Sequence, residues 1–278
     1  MKILAVGNSF SGNSTKFLNE IVRSARGNLV FGHACIGGCP LEKHYKLAMK
    51  HEQNPRDPEG KPYRHNGRKM GLKEMLKAEK WDYVTIQQYS MHSFLVDTYR
   101  PWGNRLCYYI KQYAPQAEIV FHQTWAYRAD DKSIFKKDFT PDKMYRDLKS
   151  AYAKIASELR IRRIIPVGDA FQLATKSPKW KFVPDREFNF KKPVFPNLPN
   201  EKHSLHAGYH WRDQDGVKVL GFDSHHANIA GEFLGGCVWL EFFFGKDCRK
   251  IKFKPDQISS KDADFLKRIA HQAVSLSN

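Results

Sequence analysis

Short apolar runs of strand length alternate with segments of helical period along this chain, and that alternation limits the folds open to it. Ile3–Val6, Leu29–Ala34, Tyr83–Ile86, Ile119–Phe121 and Ile164–Val167 read as strands. Between them, Thr15–Ser24, a stretch through Leu72, Met75 and Leu76, Arg105–Tyr113 and Asp142–Leu159 read as helices. In the last of these, Tyr145, Leu148, Tyr152, Ile155 and Leu159 fall on one helical stripe. Strands joined through helices need crossover connections, which lay the strands parallel and cover both faces of the sheet. The expected fold is α/β: a three-layer α/β/α sandwich around a mostly parallel five-stranded sheet. An apolar helix over about 228–243 and an amphipathic one over about 261–275 end the chain.

The chain has 278 residues, which fits one domain spanning 1–278. Two polar, proline-bearing stretches, about 51–70 and about 175–215, break the rhythm and read as loop insertions. The second is long for an idle connection, and such excursions are usually lids or binding loops. No apolar stretch reaches the roughly 20 residues a membrane span needs; the longest, Ile229 to Phe244, is broken by Glu232 and Glu241. Only four apolar residues follow Lys2 before Gly7, too few for a signal-peptide core. The compartment stays open at this point: secreted or periplasmic if a leader was removed ahead of this sequence, otherwise cytoplasmic. Five cysteines are an odd number and describe no disulfide scaffold, although Cys35 and Cys39 flank one Gly-Gly turn and leave a pairing open.

Three segments carry residue types suited to acyl transfer. Gly7-Asn8-Ser9-Phe10 directly follows the first strand, and ligands of open α/β sheets bind beyond the carboxyl ends of strands. Ser9 is thus a candidate nucleophile, while Gly, Asn and Ser equally suit a turn and helix N-cap. Asp223-Ser224-His225-His226 precedes the long apolar helix. A serine hydroxyl needs a base to take its proton, and an Asp three residues before His226 suits an acid that orients the imidazole. Asp223 also suits an N-cap, and either His a surface position. Ala34-Cys35-Ile36-Gly37-Gly38 supplies a Gly-rich turn after the second strand.

Read together, these blocks resemble the SGNH-hydrolase (GDSL-like esterase/lipase) superfamily, and the resemblance implies a flavodoxin-like sheet order. It implies Ser9 as nucleophile, Asp223 and His226 as its partners, and Ser9 and Gly38 as backbone donors to the oxyanion. The superfamily's third block, Gly-x-Asn-Asp, is absent; Thr85-Ile86-Gln87-Gln88-Tyr89-Ser90 stands there. A Gln amide donates the same kind of hydrogen bond, so Gln88 is the expected substitute and Gln87 the second choice. A branch described only as a domain of unknown function is most similar, with a Gly-Asn-Ser-Phe start and a Gln-rich third block. Gln87, Tyr89 and Trp125 are expected to line the substrate site, the aromatics as a sugar-stacking surface or as packing.

The expected function is a metal-independent serine hydrolase of O-acyl, chiefly acetyl, esters on a small molecule or carbohydrate, needing no cofactor. His203, His206, His210 and Asp213 fit no common zinc spacing. The 46 Lys and Arg against 29 Asp and Glu give a net charge of +17, which attracts polyanions. The alternative is therefore a catalytically impaired module of the same fold that binds an anionic polysaccharide. Nucleic acid ranks below it as a partner, and metal-dependent phosphodiester hydrolysis ranks last.

Overall fold

The computed structural model describes residues 1–277. In chain order the elements are β1 (Lys2–Gly7), α1 (Ser9–Thr15), α2 (Leu18–Ser24), β2 (Val30–Cys35), α3 (Leu41–Gln53), β3 (Tyr63–His65), β4 (Arg68–Met70), α4 (Leu72–Lys77) and β5 (Tyr83–Ile86). Then follow α5 (Trp102–Tyr113), β6 (Glu118–His122), α6 (Pro141–Leu159), β7 (Ile164–Ile165), α7 (Val167–Lys176), β8 (His206–Gln214), β9 (Val217–Ala227), α8 (Ile229–Phe244) and α9 (Ser260–Ser277). The five expected strands form one all-parallel sheet in the order β2-β1-β5-β6-β7. Ile3, Leu4, Ala5 and Val6 are essentially inaccessible on β1, an interior strand of the sheet, as expected of a strand covered on both faces.

Helices α3, α4, α5 and α6 pack in sequence on one side, while α8 gathers α1, α2, α7 and α9 around itself on the other. Apolar on every side, α8 is buried along almost its whole length. Its glycines bring neighbouring helices close, Gly235 against Ser14 of α1 and Gly236 against Ile21 of α2. A Cβ on Gly235 would stand 2.8 Å from the Ser14 Cα, so α8 fixes where α1 lies.

The two insertions hold more structure than a loop reading allows. Residues 51–70 contain the end of α3 and the β3–β4 hairpin. Residues 175–215 contain β8, which pairs with β9 in a long antiparallel hairpin separate from the main sheet. Thr15–Ser24 likewise differs from expectation, because Ser9–Thr15 forms a helix of its own before α2.

Candidate active site

The sheet order reverses beside β1, and the crevice outside the carboxyl ends of strands at such a point is where open α/β sheets bind ligands. Register brings three distant segments together there: Gly7 lies opposite Cys35 on β2, and Val6 opposite Ile86 on β5. The Gly7–Phe10, Cys35–Cys39 and Gln87–Ser90 segments therefore leave the sheet side by side.

Asn8 and Ser9 divide the two roles that sequence left open. The Asn8 Oδ1 caps α1 by accepting the Phe10 N–H at 3.1 Å, while Ser9 is the first helical residue. Asn8 is buried, and its Nδ2 donates to the Cys39 carbonyl at 3.1 Å. The Gln87 Nε2 donates to the same Asn8 Oδ1 at 2.7 Å. One side chain thus ties together the ends of all three segments.

The Ser9 Oγ lies 2.7 Å from His226 Nε2, and His226 Nδ1 lies 2.7 Å from Asp223 Oδ2. With the ring proton on Nδ1, facing Asp223, Nε2 is the nitrogen that accepts the Ser9 hydroxyl hydrogen bond. Both Asp223 and His226 belong to β9, and Asn228 rather than Asp223 caps α8. Burial works to raise the Asp223 pKa. Hydrogen bonds from the His226 ring and from the backbone N–H groups of His226 and His225 outweigh it, holding the carboxyl well below the usual carboxylate range. The site is open to solvent, with the His226 side chain 34% exposed.

Gly38 adopts φ +59, a left-handed conformation that costs a glycine little, inside the turn closed by the Cys39 N–H on the Ile36 carbonyl. Among the described residues, neither the Ser9 N–H nor the Gly38 N–H has an acceptor. Both donors lie on segments that leave the carboxyl edge of the sheet together, Gly7 being opposite Cys35.

The third block is where the geometry departs from expectation. Gln88 is wholly buried. Its Nε2 donates to the Thr98 carbonyl and Oγ1, and its Oε1 accepts the Leu41 and Tyr89 N–H groups. No amide hydrogen is left for an oxyanion, so the substitution of Gln88 for the missing Asn fails on hydrogen-bond capacity. Gln87 is also buried, between Asn8 and His122 Nδ1, and does not line the substrate site. Trp125 is fully buried, stacked on Phe171 at 4.3 Å and donating to the His225 carbonyl, so it packs and offers no sugar a face. Tyr89 remains half-buried at the site, its ring edge against Gly38.

Sequence reasoning overlooked the residues that hold β9 in place. Ser224 donates to Asp131 and its carbonyl accepts the Arg128 N–H at 2.8 Å, so the segment after β6 grips the strand beside Asp223. The histidines at 203, 206 and 210 do not converge on Asp213. Among the described residues, three-membered groups with ligand atoms within 4.8 Å are Asp223–His225–His226 and Glu241–Asp247–His271.

Residues 2–188 and 212–273 match the family described as a domain of unknown function, DUF4886. The chain belongs to that family. A DUF4886 protein of Bacteroides uniformis ATCC 8492, solved as a crystal structure, is 26% identical, with a TM-score of 0.74 over 99% of this chain and 95% of that one. A proposed SGNH hydrolase from Slackia heliotrinireducens is 19% identical, with a TM-score of 0.53 over 87% and 97% of the two chains. The second likeness places the DUF4886 chain in the SGNH-hydrolase fold. No curated protein matches the chain.

Proposed function

We propose that this chain is a serine hydrolase of O-acyl, chiefly acetyl, esters carried by a small molecule or a carbohydrate. The observation that supports this reading is the relay from Ser9 Oγ through the His226 ring to Asp223, with 2.7 Å at each link. His226 Nε2 takes the Ser9 proton as Oγ attacks the acyl carbonyl, and Asp223 stabilises the imidazolium. The oxygen that becomes negative sits against the Ser9 and Gly38 N–H groups. His226 returns its proton to the leaving alcohol, and water then cleaves the acyl-enzyme by the same base. Tyr89 borders the entrance beside Gly38.

The spent Gln88 amide favours a second reading, a module of impaired chemistry whose net charge of +17 holds an anionic polysaccharide. One comparison separates the two: hydrolysis of an activated acetate ester by the wild type and by Ser9→Ala, with chelator present. The esterase reading expects a loss of at least about 10³-fold in turnover. Equal background rates would sink it, and salt-sensitive retention on heparin would then support the binding module.

A further inference from the structure

His225 has no task in the relay just described. Its ring packs on His226 at 4.1 Å between centroids, on Tyr127 at 5.3 Å and on Phe10 at 6.5 Å. Its Nδ1 lies 3.1 Å from Asp223 Oδ1, yet among the described residues neither ring nitrogen makes a hydrogen bond. Stacking therefore fixes an imidazole whose nitrogens are unspent, 39% exposed beside a carboxylate already ionised by its other partners.

The Nδ1 atoms of His225 and His226 both turn toward the Asp223 carboxylate, at 3.1 and 2.7 Å. A tetrahedral Zn²⁺ with bonds of about 2.0–2.2 Å sets its ligand atoms about 3.3–3.6 Å apart, so the His226 nitrogen has to draw back from the carboxylate by more than half an ångström, and the His225 nitrogen by less, to admit the ion. Zinc, a borderline-soft ion, takes imidazole nitrogen and carboxylate oxygen in the same site, and partial exposure leaves a fourth position for water.

We propose that Asp223, His225 and His226 form an inhibitory site for Zn²⁺ or a similar divalent transition metal. Binding at His226 Nδ1 displaces the proton there. The neutral ring keeps its single proton by carrying it on Nε2, pointed at Ser9 Oγ. An Nε2 that bears a proton and whose partner nitrogen is bound to metal takes no proton from serine, so the relay is broken until the ion leaves. The effect on turnover rests on the esterase reading, whereas the binding does not.

The test is calorimetric titration of the full chain with zinc chloride, alongside ester hydrolysis with and without zinc in each variant. One site is expected in the wild type and in Ser9→Ala, weakened at least about tenfold in His225→Gln, since losing even a supporting partner of a metal ligand costs that much. His225→Phe preserves the stacking without the nitrogens and is expected to give the same loss. The ratio of rates with and without zinc falls in the wild type, recovers with chelator, and stays near unity in both His225 variants. Wild-type zinc affinity in those variants, or loss of binding on His271→Gln instead, would overturn the proposal. If no form hydrolyses esters, the functional reading falls while the titrations still decide the metal site.

Discussion

Gln88 uses every donor and acceptor of its carboxamide, and it does so between backbone and side-chain groups from three segments. A Leu there strands the buried Leu41 N–H and the Tyr89 N–H, each at a cost of about 1–3 kcal/mol. Gln88→Leu is therefore expected to lose about 2–6 kcal/mol of stability, read by urea denaturation, while its folded fraction hydrolyses a small ester within a few-fold of wild type. An oxyanion donor would show the opposite, a fall of about 10²–10³-fold in turnover with stability retained. The contrast also says which residues sequence can locate. Ser9, Asp223 and His226 stand in short motifs at the ends of elements, so spacing and position point to them. The direction of the Gln88 amide depends on Leu41 and Thr98, and nothing near position 88 announces those partners.

At the scale of elements, the main sheet was legible because four-residue apolar runs fully buried between helices leave a period-free signal that polar turns frame. The β8–β9 hairpin was not, since its strands carry Trp, Arg, Asp and Lys in no steady alternation. One local sign was available: Asp215-Gly216, with φ +54 and +81, is the pair that a tight type I′ connection demands. The hairpin carries Asp223 and His226, so what anchors it sets the site. Arg128 is 3% exposed, paired through its guanidinium with Asp130 and Glu201 at 2.6–2.8 Å and held between the Phe182 and Phe222 rings at 4.6 and 4.7 Å. Removing one partner of a buried ion pair costs about 3–5 kcal/mol, and because the Asp130 and Glu201 carboxylates left behind are 31% and 12% exposed, the lower end of that range applies here. Arg128→Met is expected to destabilise the chain by about that much and to lower turnover of the folded protein as β9 loosens. Lys at this position restores the charge but not the planar fork, so Arg128→Lys should recover only part of the loss in the same denaturation and rate measurements. Stability equal to wild type in both variants would show that the hairpin is anchored elsewhere.

Across the whole molecule, three buried histidines and the half-buried His33 underlie the segments that form the site. His44 bridges the Gly7 carbonyl and the Tyr63 hydroxyl, His122 joins Gln87 to Ser14, His33 meets Ser11, and His206 meets the Ala126 carbonyl. Burial pushes their pKa values down, to about 4 for His33, His44 and His206 and to about 3 for His122. A histidine of the unfolded chain takes up a proton near pH 6.5, and these rings cannot. Between about pH 6.5 and 4 the unfolded chain thus binds more protons than the folded one, and stability rises with pH across that window. Acidification removes it again, at up to about 1.4 kcal/mol per pH unit for each ring. The Asp223 carboxyl runs the other way: held below its ordinary range, it keeps its contribution through this window and loses it only in stronger acid. Urea midpoints are therefore expected to fall clearly between about pH 7 and about pH 5. The esterase rate of the same samples should return once they are brought back to neutrality. An unchanged midpoint over that interval would mean that these rings titrate alike in both states. That cannot hold if they are the neutral, hydrogen-bonded supports on which Asn8, Ser9 and the Gly7 turn rest.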